Sequence, residues 1–405
     1  MSKRSTPSLI SVFLLLLAIA LNSSAREPIK SPPPTQSKIV RARDLGIPFE
    51  GTPGKLNAIT DVPGVEVGYT TLISGEGKLE VGKGPVRTGV TAILPRGHAS
   101  LNDPVYSGFF SLNGNGEMTG TAWVEESGFL EGPIVVTNTH SVGVARDAVI
   151  AWLVKQRTGS QNLWSLPVVA ETWDGWLNDI NGFHVKPEDV WHALDTAHGG
   201  AIEEGSVGGG TGMICYEFKG GNGTASRVVS VAVAAGGDPG SQKASRAYTV
   251  GVFLQANFGR RPQLMIAGIP VGKEIPGEVY KKENGSCIAV VATDAPLLPN
   301  QLKRLARRVS LGLARTGTIS GNTSGDLFIA FSIANPNVAS PDQITHDVQT
   351  IPNDLMDPLF AGVVQATEEA VLNALIDNRS MTGRDNHRVE ALPHDRLREI
   401  MKRVR

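Results

Sequence analysis

Ser286 follows a glycine and opens an apolar run, the most chemically suggestive placement in the chain. The stretch reads Glu283-Asn284-Gly285-Ser286-Cys287-Ile288-Ala289-Val290-Val291-Ala292-Thr293-Asp294-Ala295-Pro296. The run 288–292 is too short for a helix and is closed by Asp294-Ala295-Pro296, which predicts a buried β-strand with Ser286 at its start. A hydroxyl after a Gly at such a point suits self-cleavage. The Ser286 oxygen attacks the Gly285 carbonyl, the amide shifts to an ester, and water releases a new chain that begins with Ser286. Gly285, lacking Cβ, can hold the backbone this requires. The freed α-amine, with an ordinary pKa of about 8, can take the proton from its own hydroxyl. The plainer reading of the dipeptide is an ordinary loop-to-strand junction.

Other polar residues sit where they could assist. Asn322-Thr323-Ser324-Gly325-Asp326 feeds the apolar run 327–333. Beside Ser286, the Ser324 hydroxyl and the Asp326 carboxylate could hold the new ammonium and relay protons; a simple turn is the alternative. Asn257 ends the run 249–257 and could offer an amide donor to an oxyanion, or be a turn Asn before Gly259. A His-assisted serine has little support. The eight His are scattered, no Gly-x-Ser-x-Gly elbow occurs, and His140, in a turn between apolar elements, reads as structural. Val207-Gly208-Gly209-Gly210-Thr211-Gly212 lacks both the Gly-Lys-Ser/Thr of a P-loop and a strand-to-helix context. It reads as a close backbone approach, not a nucleotide site.

The elements that must carry these residues follow from periodicity and stop signals. Strands are predicted over 58–61, 65–71, 89–94, 134–137, 166–170, 213–218, 228–235, 249–255, 264–271, 288–292 and 327–333. Helices are predicted over 144–156, 187–198, 299–315 and 358–376, those at 187 and 358 with Pro near the first turn. The stretch 111–120 is too turn-rich for a regular element, and the charged tail from Asp377 is expected at the surface. No internal repeat is visible. Strands in a block with helices before and after predict an α+β fold, with sheets packed between helices.

The 405 residues suffice for a full core, and 46 Gly against the roughly 28 expected for this length imply many tight turns. A formal charge of −1 gives no sign of a nucleic-acid or anionic-membrane partner. Lys3 and Arg4, an apolar run over 9–21 and Ser23-Ser24-Ala25 have the form of a secretory signal cut after Ala25; an uncleaved anchor is the alternative. Residues 26–44, with Ser31-Pro32-Pro33-Pro34, have the composition of a mobile linker, and the fold is expected to begin near Leu45. Cys215 and Cys287, the only cysteines, lie in apolar runs that fit free thiols at least as well as a disulfide, and no zinc spacing is present.

Together these stretches resemble the L-aminopeptidase/D-esterase family, which includes the β-peptidyl aminopeptidases. The resemblance rests on Leu112-Asn113-Gly114-Asn115-Gly116-Glu117-Met118-Thr119-Gly120, Thr137-Asn138-Thr139-His140-Ser141-Val142-Gly143 and Glu171-Thr172-Trp173-Asp174-Gly175-Trp176-Leu177-Asn178-Asp179. It continues through Gly210-Thr211-Gly212, Gln255-Ala256-Asn257-Phe258-Gly259, Asn284-Gly285-Ser286 and Ala292-Thr293-Asp294-Ala295-Pro296-Leu297. It covers residues 45–380. It implies a four-layer αββα sandwich, similar in layering to N-terminal-nucleophile hydrolases but differently connected. It also implies a precursor cut between Gly285 and Ser286, giving an α chain over 45–285 and a β chain over 286–405.

The resemblance makes Ser286 the nucleophile, Asn257 the oxyanion donor, and Ser324 and Asp326 the proton-handling partners. Some relatives carry Glu at the last position, and Asp is one methylene shorter. Glu171 is the expected acceptor for the substrate's free amine, and Trp173 and Trp176 the expected pocket walls. The expected activity is a periplasmic or secreted aminopeptidase acting on short peptides, amides or esters, as a homotetramer of α/β pairs, without cofactor or metal. An acyltransferase of the same fold and a non-catalytic relative are the alternatives. The ornithine acetyltransferases use a Thr nucleophile, so Ser286 argues against that group.

Overall fold

The computed structural model describes residues 40–157, 162–233, 244–277, 279 and 285–403. The signal-like segment 1–25, residues 26–39 of the expected linker, and Glu283-Asn284 lie outside them.

Two βαβ units set the layers. In the first, β5 (Ile134–Asn138) and β6 (Val168–Thr172) run parallel, joined through α2 (Val142–Gln156). In the second, β11 (Ser286–Thr293) and β12 (Gly325–Ser332) run parallel, joined through α5 (Pro299–Arg315). Parallel neighbours need such crossovers, which place a helix on the outer face of each sheet. The first sheet is completed by β1 (Glu66–Ser74) and β2 (Val86–Leu94), in the order β1-β2-β5-β6. The second adds β3 (Val105–Gly114), β4 (Phe129–Leu130), β9 (Gly221–Ala232) and β10 (Ser245–Asn257), in the order β4-β3-β12-β11-β10-β9.

The strand period of two divides the residues between layers. Along β11, Ile288, Val290 and Ala292 pack against the first sheet with Ile93, Val136 and Ala170. Cys287, Ala289 and Val291 pack outward, against α5 and α6 (Asp357–Ile376). Val90, Ala92 and Val135 on the far face of the first sheet pack against α2 and α3 (Pro187–Asp195). This is the expected αββα sandwich. The Gly-rich stretch enters its middle: Gly208, Gly209 and Gly210 are buried, and Gly209 N–H donates to Thr91 Oγ1 at 3.1 Å. A Cβ on Gly209 would lie 2.3 Å from Gln255 Oε1 and 2.7 Å from the Val136 carbonyl, so the close backbone approach is real.

Several expected elements differ. Residues 59–61 form a 3-10 turn, because Asp61 takes the Leu56 and Ala58 N–H groups and closes the chain on itself. Residues 264–271 are no strand: Ala267 and Gly268 adopt left-handed φ of 48° and 77°, and the chain turns into α4 (Val271–Glu274). The run 213–218 folds into two short strands, β7 (Ile214–Cys215) and β8 (Phe218–Lys219), about Tyr216 and Glu217 at φ 50° and 60°. The stretch 111–120 supplies the end of β3 before α1 (Thr121–Ser127), its pairing with β12 overriding a Gly- and Asn-rich composition. The tail is part of the fold: β13 (Met381–Thr382) pairs with β14 (Arg388–Val389), and α7 (His394–Lys402) buries Leu397, Ile400 and Met401.

The linker boundary also moves. Residues 40–44 belong to the folded body, which begins at Val40: Ala42 is buried in a 3-10 turn, and Arg41 pairs with Glu204 at 2.6 Å. Arg43 grips Glu369 of α6 with two bonds of 2.7 and 2.8 Å. Glu369 is fully buried and also takes Arg227 at 2.7 Å and Asn57 at 2.6 Å. Burial alone pushes the Glu369 carboxyl up, but Arg43 and Arg227 outweigh it and hold it below its ordinary range. Glu369→Gln leaves buried Arg227 without its paired carboxylate and is expected to cost about 3–5 kcal/mol, read from urea midpoints at pH 7. The wild type should keep this contribution above the ordinary carboxyl pKa of 4.5 and lose it as pH falls through the lowered value.

Candidate active site

Ser286 is the first residue of β11 and is paired from the start, with Asn257 on β10 and Gly325 on β12. Strand alternation turns its side chain to the face of Ile288 and Val290, toward the first sheet. It is 4% exposed and lines an open cavity of about 530 Å³ with Asn115, Gly116, Glu117, Thr139, Glu171, Trp173, Gly285 and Thr323. Among the described residues its hydroxyl has no hydrogen-bond partner, and no histidine lines this cavity. His140 is exposed, is not among this cavity's lining residues, and stacks on Phe183 at 6.0 Å.

Gly285 is confined by its neighbours. A Cβ there would sit 2.2 Å from the Asn257 carbonyl oxygen and 2.8 Å from Phe258 Cα, so no side chain fits without displacing the β10 backbone. The Gly285 carbonyl accepts the Gly325 N–H at 3.3 Å, a donor directed at the oxygen that would become negative under attack.

Asn257 is oriented by two bonds. The Ile214 N–H donates to its Oδ1 at 2.8 Å, and its Nδ2 donates to the Trp173 carbonyl at 2.9 Å. The first bond fixes which end is the amide nitrogen. The second uses one of its two N–H groups and leaves the other for an acyl oxygen near Ser286.

Glu171, near the end of β6, is 3% exposed. Its Oε1 takes the Glu117 N–H at 3.1 Å, and its Oε2 takes the Thr139 hydroxyl. Burial pushes its carboxyl up against these bonds. A substrate ammonium entering the cavity would meet this carboxylate and the exposed Glu117.

Ser324 and Asp326 lie at the end of β12. The Ser324 hydroxyl donates to Asp326 Oδ1 at 2.8 Å, and the Ser320 hydroxyl donates to Oδ2. Burial pushes the Asp326 carboxyl up; bonds from Ser320, Ser324 and the Cys287 N–H oppose it. In register, Asp326 shares a face with Cys287, opposite the side chain of Ser286. The carboxylate is therefore not aimed at Ser286 Oγ in the continuous chain, although the two strand ends lie side by side.

The structure thus gathers Ser286, Gly285, Glu171 and Trp173 in one cavity, sets Asn257 opposite Ser286, and places Ser324 and Asp326 at the adjoining strand end. Trp176 goes elsewhere: its ring stacks on His387 at 4.1 Å, and it is not among the cavity's lining residues. Cys215 and Cys287 are both buried and are not joined in a disulfide. Sequence reasoning gave no role to Thr139, Glu117, Asn115, Thr323 or Ser320. The first three lie inside motifs quoted for the family resemblance, which was their only signal.

The model of peptidase family S58 matches residues 57–389. The chain is 53% identical over 381 residues to the β-peptidyl aminopeptidase BapA of Sphingosinicella microcystinivorans, covering 90% of this chain and 92% of that one. It is 47% identical over 407 residues to BapA of Sphingosinicella xenopeptidilytica, covering 96% and 95%. Its structure is similar to the L-aminopeptidase D-Ala-esterase/amidase of Ochrobactrum anthropi, described as a prototype serine aminopeptidase with a variant Ntn hydrolase fold. That match has a TM-score of 0.81, 47% identity, and covers 90% of this chain and 98% of that one. A Burkholderia sp. β-aminopeptidase matches with a TM-score of 0.80 and 44% identity, over 90% and 99%.

Asn257→Ala removes the side-chain donor while Ser286 keeps its strand position. Amide hydrolysis is expected to fall about 10²–10³-fold in kcat, with circular dichroism unchanged. An unchanged kcat would show that the second N–H of Asn257 does not face the reacting oxygen.

Proposed function

The chain belongs to peptidase family S58 and is an aminopeptidase, and from that premise we propose how its residues work. Ser286 is the nucleophile, first on its own peptide bond and then on substrate. Its hydroxyl adds to the Gly285 carbonyl, the amide becomes an ester, and water frees the chain that begins at residue 286. The Ser286 amine so released serves as the base for its own hydroxyl. Ser324 and Asp326 handle the proton that passes between this amine, the hydroxyl and the leaving group. Asn257 Nδ2–H stabilises the oxyanion, and Glu171 pairs with the substrate's free amine.

One observation carries the reading. Ser286 begins a fully paired core strand directly after a residue that has no room for a side chain, and its hydroxyl opens into a cavity holding a buried carboxylate. The names of the two BapA relatives support peptides with an N-terminal β-amino residue as substrates. The signal-like N-terminus supports export to the periplasm or beyond, with removal of residues 1–25. The family resemblance supports a homotetramer of α/β pairs.

The test compares β-alanyl p-nitroanilide, its L-alanyl counterpart and the N-acetylated β-alanyl compound. The free β-amine is expected to be hydrolysed fastest. N-acetylation should abolish turnover, and Ser286→Ala should abolish it for all three. Glu171→Gln should raise KM about 30-fold or more, with a smaller effect on kcat. In the wild type, KM should rise as pH falls through the raised Glu171 pKa, because the neutral carboxyl no longer attracts ammonium. Turnover of the acetylated compound at the rate of the free amine would contradict the amine-recognition step. A preference for the L-alanyl compound would contradict only the β-residue assignment.

A further inference from the structure

Asp326 is a buried carboxylate with a hydroxyl donating to each of its oxygens, and only one of these hydroxyls comes from its own strand segment. Ser324 lies two residues away and donates to Oδ1 at 2.8 Å. Ser320 donates to Oδ2 from the turn between α5 and β12. Ser320 has φ 53°, a left-handed conformation that residues with a Cβ seldom take.

The surroundings hold it there. Its N–H donates to Thr318 Oγ1 at 3.1 Å, and the Thr318 N–H donates to the Tyr216 hydroxyl at 3.0 Å. The Tyr216 hydroxyl also bonds to Thr316 Oγ1 at 2.7 Å. On the other side, Asn113 Nδ2 of β3 donates to the Gly321 carbonyl at 2.6 Å. The turn is thus tied at both edges, and its strained member is the one that reaches the carboxylate.

We infer that Ser320 is a positioning residue, which fixes the Asp326 carboxylate from the side opposite Ser324 so that Oδ1 stays directed at the Ser324 hydroxyl. This rests on the proposed roles of Ser324 and Asp326. An aspartate has only two side-chain torsions, and a donor on each oxygen fixes the carboxylate plane, leaving Ser324 to hand on the proton. The titratable groups facing Asp326 are few. β11 presents the Cys287 thiol opposite it, joined after cleavage by the Ser286 amine; β3 presents the uncharged Asn113, and the 316–324 turn presents hydroxyls. Without the Ser320 hydroxyl, Oδ2 is buried with no side-chain donor, and the carboxyl binds its proton more tightly.

The experiment compares Ser320→Gly, Ser320→Ala and Asp326→Asn with the wild type, as fully processed enzyme, in pH profiles of kcat with a free-amine anilide. Gly relieves the left-handed strain and Ala keeps it, while both remove the hydroxyl. Both are expected to move the acid limb up by about one pH unit, to lower kcat about tenfold at the wild-type optimum, and to leave KM unchanged. An acid limb unmoved in Ser320→Gly overturns the proposal, whether kcat stays at the wild-type level or drops evenly at all pH values. A limb that moves in Ala but not in Gly overturns it too, since backbone strain and not the hydroxyl would then be the cause. Asp326→Asn separates the two levels of the argument. Collapse of its turnover beside an unmoved Ser320→Gly limb removes the role of Ser320 alone, whereas wild-type turnover in Asp326→Asn removes the reading of Asp326 and the inference with it.

Discussion

Everything at the site depends on β11 being hydrogen-bonded into the sheet from its first residue. Strand ends commonly fray, but Ser286 is held between the backbones of β10 and β12, and Gly285 is pressed against the Asn257 carbonyl. Pairing of this kind removes the freedom by which a nucleophile loses its alignment. It also brings the Ser286 hydroxyl, the Gly285 carbonyl and the Asn257 amide to one level of the sheet without any loop having to close. A new amine formed there would be held as firmly as the strand itself, which is what a base acting on its own hydroxyl requires.

A second constraint ties the two halves of this arrangement together. The β7–β8 turn places two bulky residues, Tyr216 and Glu217, in left-handed backbone, where Gly or Asn would be the ordinary choice. Arg261 holds the turn through the Tyr216 and Glu217 carbonyls, and Lys219, fully buried, donates to the Met213 and Gly220 carbonyls. From this hairpin the Ile214 N–H sets Asn257, while the Tyr216 hydroxyl sets the turn that carries Ser320. Backbone strain is thus concentrated in an element that orients the amide donor on one side and the carboxylate's support on the other. That is where strain in a folded chain has a use.

Much of this was legible in the sequence, and the rest was not for physical reasons. The 288–292 run, bounded by a Gly turn and Asp294-Ala295-Pro296, marked the central strand, and Pro299 marked the start of α5 at its true residue. The turn before Leu327 pointed to Ser324 and Asp326 because polar residues entering a core strand stand out. Three features left no local trace. β9 begins at Gly221, seven residues before its apolar part, since sheet pairing and the cover of α6 bury a segment of Gly and polar residues. Trp176 shares a motif with Trp173, but the tertiary stacking on His387 takes it away. Ser320 reaches Asp326 only because a Ser, and not the Gly or Asn that positive φ favours, holds the left-handed conformation there, and no propensity announces that. Residues 40–44 read as linker because Arg41 and Arg43 look like solvent residues until their buried partners, Glu204 and Glu369, are known.

The central claim is that Ser286 becomes a chain terminus, and intact mass with N-terminal sequencing of the purified active protein tests it most directly. A small chain of about 13 kDa over residues 286–405, beginning Ser286-Cys287-Ile288, is expected beside a larger chain ending at Gly285. A fully active preparation consisting of one unbroken chain through residue 286 would contradict it, because no free amine would then exist beside the Ser286 hydroxyl.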